Sequence, residues 1–182
     1  MTTPEPTATP AAGTHTTTLV SRIVIRADRR TVWDELLRTE GLNGAAFNAR
    51  MDLPDGLTVG GRVRMRTGSG KNTMVVGEIL ELDPPHRFVQ TFRFTNLDDP
   101  PCRIIYELRE VEGGTEFTLT SEGVAAGSKS EKSMRSGGDF ITRTLKEIVE
   151  NGRPAFKTRL MYGAMKHMEF MLPKACRSTN WP

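Results

Sequence analysis

Arg87-Phe88-Val89-Gln90-Thr91-Phe92-Arg93-Phe94-Thr95 alternates apolar and polar side chains more regularly than any other part of the chain. Side chains on an extended strand point alternately to the two faces of a sheet. One face of this segment therefore carries three phenylalanines and Gln90, and the other carries Arg87, Thr91 and Arg93. The period of two predicts a half-buried strand with an aromatic inner face.

The same pattern recurs before and after this strand. Further strands are predicted at residues 19–26, 58–66, 73–82, 103–110 and 115–121. Turn-forming sequences separate them, among them Asp83-Pro84-Pro85 and Gly113-Gly114. Short strands joined by short turns are typical of an antiparallel meander.

Helical patterns flank the meander. Asp28 is suited to cap a helix from Arg29 to Arg38 that ends at Gly41, and a weaker helical pattern follows over residues 42–47. Residues 125–138 are rich in Gly, Ser and Lys and are predicted to form a mobile loop before a helix at 139–150. Asn151-Gly152 and Pro154 end that helix. A late helix that covers one face of a curved sheet predicts an α+β fold.

Both ends of the chain differ from this central part. Residues 1–18 are dominated by Thr, Pro and Ala and are predicted to be a disordered tail. Residues 154–182 form a predicted methionine-rich helical extension, with a helix over 155–172 and Trp181 as a peg for the tail. We expect this helix to pack on its own domain or on a second copy in a homodimer. Alternatives are a lid, a docking surface for another protein and, last because Glu169 and Pro173 interrupt it, a basic membrane-surface helix.

Composition excludes several classes of protein. The 182 residues carry 25 Lys and Arg against 22 Asp and Glu, a surplus too small to indicate nucleic acid binding. Arg62, Arg64 and Arg66 are therefore read as a solvated strand face. Two distant cysteines and three scattered histidines predict no disulfide framework, no metal and no cofactor. No apolar run is long enough for a membrane span, so a cytoplasmic location is expected.

Five motifs in order resemble the SRPBCC superfamily, and more closely its branch related to the C-terminal domain of the activator of heat-shock protein 90 ATPase. They cover about residues 18–153 and lie at 27–36 (Val32-Trp33 within it), 59–62 (Val59-Gly60-Gly61-Arg62), 77–88, 114–119 and 136–152. The resemblance implies a helix-grip, START-like (Bet v-like) fold over residues 19–153. In that fold a curved antiparallel sheet of six to seven strands wraps a long C-terminal helix and encloses an apolar cavity. Two departures, Asp139 after the Gly-Gly pair and Ala45-Ala46-Phe47, reduce the bulk expected near the cavity mouth.

The candidate site residues follow from the inward faces. Those expected to line the cavity are Trp33, Phe47, Met65, Phe88, Gln90, Phe92, Tyr106, Phe117, Ser121, Phe140 and Leu145. No recognisable Ser/His/Asp or Cys/His set is present, and the weak catalytic candidates are Tyr106, Asp139 and Glu78.

A few polar groups within an apolar cavity are typical of a small-molecule site. We therefore expect a binding protein for a hydrophobic small molecule, a lipid or an aromatic metabolite, without committing to catalysis. The alternatives are a cyclase/aromatase-like enzyme of the same fold and a chaperone-associated interaction protein.

Overall fold

The computed structural model describes residues 15–182, so residues 1–14 of the predicted disordered tail lie outside the described residues, whereas 16–18 are strand and not tail. The seven strands are β1 (Thr16–Ile25), β2 (Arg50–Asp52), β3 (Arg62–Arg66), β4 (Thr73–Asp83), β5 (Arg87–Phe94), β6 (Cys102–Val111) and β7 (Gly114–Ala125). The helices are α1 (Arg29–Leu36), α2 (Lys129–Asn151) and α3 (Phe156–Met168), followed by three single 3-10 turns. β1 therefore starts three residues before the predicted boundary.

The strands form one antiparallel sheet in the order β1-β7-β6-β5-β4-β3-β2. The register places the predicted inward residues of neighbouring strands opposite one another: Gln90 pairs with Ile104, and Phe88 pairs with Tyr106. Ile23 faces Phe117 on β7 in the same way. These side chains make one apolar face, on which α1 and α2 pack. The predicted α+β helix-grip architecture is confirmed, with seven strands.

The long helix α2 corrects the prediction of a mobile loop at 125–138. Ser128 caps the helix by accepting a hydrogen bond from the Glu131 N–H at 3.0 Å, and Glu131 in turn accepts one from Gly127. This reciprocal capping offsets the poor helix propensity of the Gly- and Ser-rich segment. Gly138 allows α2 to approach β1 closely, since a Cβ atom there would lie 2.8 Å from the Ser21 hydroxyl and would force that side chain to move.

Residues 42–47 are not helical, contrary to the weaker prediction. The chain turns there, with Asn43 paired to Ala49 in an isolated bridge and with Phe47 and Asn48 in the left-handed region. The buried Asn43 side chain organises the turn: it donates to Leu36 O and accepts from the Ala45 and Ala46 N–H groups. A polar side chain that bonds nearby backbone groups competes with helix formation in this way.

The C-terminal extension consists of α3 and a tail that folds back onto the β3–β4 hairpin. Ser178 bonds Lys71 O through its N–H and Gly70 O through its hydroxyl. The Glu169 carboxylate accepts hydrogen bonds from Thr67, Ser69 and Asn72. The extension is therefore fixed to the sheet at its C-terminal end.

This tail also corrects the expectation for the arginine stripe. Arg64 is only 8% exposed, donates to Trp181 O at 3.1 Å and lies 3.1 Å from the Asp52 carboxylate. Arg93 lies over the Trp181 ring at 5.8 Å, as a peg would require. Of Arg62, Arg64 and Arg66, only Arg62 remains exposed, and its guanidinium donates a hydrogen bond to each carboxylate oxygen of Asp55.

Candidate functional site

The concave face of the sheet is the surface that the fold turns toward α2. Its centre is aromatic: the Tyr106 ring stacks on Phe88 at 5.7 Å and tilts against Phe117 at 5.8 Å. Toward β3 and β4 the face continues with Ile79, which pairs with Gln90 across β4 and β5. An aromatic centre with one amide is the composition that the alternation at 87–95 predicts.

The long helix covers this face unevenly. α2 packs mainly on β1 and β7, at one end of the strand order. Toward the other end the inward side chains keep accessible surface, and Met65, Phe92, Phe94 and Tyr106 are half-buried. The β3–β6 part of the concave face is therefore the part that α2 covers least.

Gln90 carries an unpaired polar atom in this region. The residue is 3% exposed, and its Oε1 has no hydrogen-bond partner among the described residues. An unsatisfied buried carbonyl costs roughly 1–3 kcal/mol relative to a satisfied one. The amide oxygen could therefore accept a hydrogen bond from a bound molecule.

Tyr106 is the second polar group of the concave face. Burial raises the pKa of its phenol to about 12, because the ionised form would be desolvated. The side chain is nevertheless half-buried rather than fully buried by accessible area. At neutral pH the hydroxyl is protonated and can donate a hydrogen bond.

The predicted cavity residues fall into three groups. Buried in the structure are Trp33, Phe88, Gln90, Phe117, Ser121 and Leu145; half-buried are Met65, Phe92, Tyr106 and Phe140; Phe47 is 39% exposed. The buried apolar members pack in one cluster with α1 and α2, so they form core. Met65, Phe92 and Tyr106 pack against this cluster and keep accessible surface.

The other two catalytic candidates, Asp139 and Glu78, are exposed carboxylates. Asp139 is exposed on α2 and accepts a 2.7 Å hydrogen bond from the Ser21 hydroxyl of β1, where the helix meets the sheet. Glu78 is exposed on β4. Among the described residues, neither carboxylate is hydrogen-bonded to Tyr106. 

An aromatic cluster links helix α2 and the turn at residues 42–47 to the C-terminal extension. Phe47 stacks on Phe140 at 4.6 Å, and Tyr162 of α3 meets Phe140 edge-on at 6.3 Å. The Tyr162 hydroxyl donates to Gly44 O at 2.6 Å, and burial raises the pKa of this phenol. Sequence analysis missed Tyr162; its signal is that it is the one large aromatic residue opposite Leu160 and Ala164 on the helical wheel. The Tyr162 side chain of α3 thus occupies part of the space beside Asp139 and Ala45-Ala46, where bulkier residues were expected.

Two surface depressions lie outside the concave face. The larger, about 450 Å³, follows the polar side of α2 and is lined by Gly127, Ser128, Glu131, Lys132, Arg135, Ser136 and Asp139. The smaller, about 350 Å³, lies around Cys102 and Arg103. Charged, open walls of this kind do not match the predicted apolar cavity, so we place the candidate site on the concave face instead.

Cysteine and metal chemistry receive no support from the described residues. Burial raises the pKa of Cys102 to about 11, which keeps the thiol protonated and unreactive. Among residues 15–182, no group of three or more His, Cys, Asp or Glu side chains is arranged to hold a metal ion. None of the helices described is long and apolar enough to cross a bilayer.

Comparison with protein families supplies the relationship. The family described as activator of Hsp90 ATPase homolog 1-like protein matches residues 26–150. The chain belongs to this family. The match begins directly after β1 and ends within the last turn of α2, so it covers strands β2 to β7 with α1 and nearly all of α2, but neither β1 nor the extension. A comparison with curated proteins gives no significant match.

Solved structures share the fold at low sequence identity. A protein from Chromobacterium violaceum is 20% identical with a TM-score of 0.57, and the alignment covers 73% of this chain and 96% of that one. The Aha1 dimer from Colwellia psychrerythraea is 16% identical with a TM-score of 0.60, and the alignment covers 75% of this chain and 98% of that one. DynU16, a putative protein in the dynemicin biosynthetic locus, is 21% identical with a TM-score of 0.60. That alignment covers 75% of this chain and 48% of DynU16. At these identities the likeness establishes the fold alone.

Proposed function

We propose that this member of the Hsp90 ATPase activator-like family binds an apolar small molecule that carries a hydroxyl group. The binding region is the half-buried part of the concave face around Gln90 and Tyr106. The observation that carries the proposal is the buried, unpaired Oε1 of Gln90. A ligand hydroxyl that donates to this oxygen would satisfy it.

Tyr106 supports the proposal from the neighbouring strand. Burial raises its pKa, yet its side chain keeps accessible surface, which is expected when protein atoms do not fill the space beside it. Met65, Phe92 and Phe94 add apolar contact area around the two polar groups. An apolar lining with a few convergent polar groups is the usual composition of a small-molecule site.

A matched pair of probes tests the role of the hydroxyl. 2-Naphthol and 2-methylnaphthalene have similar size and shape, and only the first can donate a hydrogen bond. We expect 2-naphthol to bind roughly tenfold more tightly in calorimetric titration, since one hydrogen bond to a buried acceptor contributes about 1.4 kcal/mol. In Gln90→Leu this preference should vanish, whereas in the control Thr118→Val on the opposite face it should persist.

Two results would overturn the proposal. One is that neither probe binds; the other is that the preference for 2-naphthol survives in Gln90→Leu. Lipids and aromatic metabolites both fit the proposed chemistry, and long-chain alcohols titrated beside 2-naphthol would separate them.

A cyclase-like reaction on the same face is the second candidate, and the accessible Tyr106 phenol favours it. A phenol with a pKa near 12 can donate a proton or a hydrogen bond to a substrate oxygen at neutral pH, but it is a poor acceptor of protons. Both candidate carboxylates are exposed, and neither is hydrogen-bonded to Tyr106 among the described residues. Activity that survives Tyr106→Phe unchanged would rule out this role for the phenol.

The Aha1 dimer motivates a third candidate, a chaperone-associated role, through the family relationship. A pull-down with the purified chain and an Hsp90-type chaperone tests it. Co-purification and a changed ATPase rate would support the role, and the absence of both would remove it.

A further inference from the structure

Helix α3 is amphipathic in an unusual sense: its apolar face points away from the protein. Tyr162, at 8% exposure, is its buried residue. Leu160 and Ala164 lie on the opposite side of the helical wheel, because successive residues are turned by 100°. Leu160 is 67% exposed, and Phe156, four residues earlier, is 74% exposed.

The exposed apolar side chains of the described residues are concentrated here. Seven of the thirteen large exposed ones fall within sixteen residues of the extension: Phe156, Leu160, Met161, Met165, Met168, Phe170 and Met171. At roughly 150–250 Å² for each full side chain, their exposed area is on the order of 800 Å². Soluble monomers rarely expose patches of more than a few hundred Å², so this surface is expected to bind something.

Charge indicates what that partner is. Residues 154–182 contain five basic side chains, Lys157, Arg159, Lys166, Lys174 and Arg177, against one acidic residue, Glu169. The whole chain is only +3, so the extension at +4 is more basic than the rest. All five basic residues are exposed. The partner surface must therefore be both apolar and anionic.

The two carboxylates near α3 are held by hydrogen bonds to the protein, and the charge of Glu169 is already included in the +4. Glu169 accepts from Ser69 at 2.6 Å and from Asn72 at 3.0 Å, and these hydrogen bonds help to lower its pKa. Glu147 accepts from the Ala155 N–H at 2.9 Å. Glu169 therefore does not interrupt the exposed apolar face, which removes one reason for ranking a membrane helix last.

We propose that α3 and the residues up to Met171 dock on an anionic lipid surface. The helix would lie in the interfacial plane with Phe156, Leu160 and the methionines among the acyl chains. Lys157, which lies between Leu160 and Met168 on the exposed side of the wheel, would extend its side chain to the lipid phosphates, and the exposed Arg159 would add to the attraction. Like charge disfavours the alternative of two copies joined through this face, since each would bring an excess of +4.

Vesicle sedimentation with the full chain tests the proposal. Phosphatidylcholine vesicles containing phosphatidylglycerol should bind the chain at low salt, whereas pure phosphatidylcholine vesicles should bind it at least about tenfold more weakly. Raising the ionic strength should release it. Leu160→Asp and Arg159→Glu should each reduce binding roughly tenfold or more.

The matched controls change equally exposed residues elsewhere. Val59→Asp replaces an apolar side chain that is 60% exposed, and Arg143→Glu reverses an exposed charge on α2. Both should bind vesicles like the wild type, as should Gln90→Leu, because the surface is separate from the ligand region. Near-identical thermal unfolding of all variants shows that folding is intact.

Three results would overturn the inference. The first is the absence of binding to phosphatidylglycerol vesicles, and the second is equal binding to vesicles of either composition. The third is a stable dimer by light scattering that Leu160→Asp converts to a monomer without any vesicle binding. That last result would assign the face to a second copy.

Discussion

At the scale of single residues, Gln90 and Thr115 are two buried polar groups that differ in whether they are hydrogen-bonded. Both lie on the concave face and are almost fully buried, at 3% and 0% exposure. The Thr115 hydroxyl donates to Ala27 O at 2.8 Å, whereas Gln90 Oε1 has no partner among the described residues. A satisfied group stabilises the fold, and an unsatisfied one is retained at a cost.

The contrast predicts opposite effects on stability. Gln90→Leu should leave the melting temperature of the free protein unchanged or raise it, because the substitution removes an unpaired buried acceptor. Thr115→Val keeps the shape but leaves Ala27 O without its donor, and should cost about 1–3 kcal/mol. Chemical denaturation of the two variants measures this difference. A large loss of stability in Gln90→Leu would mean that the amide has a structural role.

Glu150 makes stability depend on pH. Its carboxylate accepts from the Arg26 N–H at 2.8 Å and lies 3.0 Å from Lys146 Nζ. The backbone hydrogen bond from Arg26 is the main reason why the pKa falls from 4.5 to about 2. Because the folded-state pKa is depressed, this stabilisation is complete above the unfolded-state value and is lost as pH falls toward 2.

Glu150→Gln should therefore lower the melting temperature at neutral pH and flatten its decline between about pH 5 and pH 2. Thermal unfolding across this range measures both effects. Glu112→Gln, at an exposed hairpin position, is the control and should follow the wild-type curve. A wild-type slope in Glu150→Gln would exclude this carboxylate as the source.

At the scale of elements, the strands were predictable and the start of α2 was not. A period of two marks each long strand, so only strand ends needed revision. The α2 segment has many Gly, Ser and Lys residues, and its helicity depends on the Ser128–Glu131 capping and on packing against β1, neither of which a propensity argument weighs. β2 has three residues, too few for any periodic pattern.

The capping of α2 gives a direct test of this explanation. Ser128→Ala should cost about 1 kcal/mol, because the Glu131 N–H loses its acceptor at the end of a 23-residue helix. Ser133→Ala, at an exposed interior position of the same helix, should be neutral or slightly stabilising. Equal effects in urea denaturation would show that the cap does not determine where the helix begins.

At the scale of the whole molecule, the sequence predicted the half-buried candidate residues by face alone. Met65, Phe92 and Tyr106 point inward because alternate residues of a strand do so. It could not predict which inward residues α2 would cover, since that depends on how the helix crosses the sheet. It also could not predict that Arg64 is buried by a tail more than a hundred residues later.

That tail should hold the extension on the domain. A chain ending at Leu172 would lose the Ser178 bonds to the β3–β4 hairpin and the contacts of Trp181 with Arg64 and Arg93. We expect a lower melting temperature and faster proteolytic cleavage within 153–171, because the extension would then be held mainly through Tyr162 and Glu169. Trp181→Ala should give a smaller change in the same direction. Unchanged cleavage in the truncated chain would show that the tail is not an anchor.

Gln90 is the only glutamine in the chain, so it can be observed alone. Labelling with glutamine carrying ¹⁵N in its side-chain amide would give one pair of NMR signals in the purified protein. If a hydroxyl-bearing apolar ligand donates to this amide, 2-naphthol should shift that pair saturably, and 2-methylnaphthalene should shift it much less. Signals that stay in place at saturating 2-naphthol would contradict the proposed site.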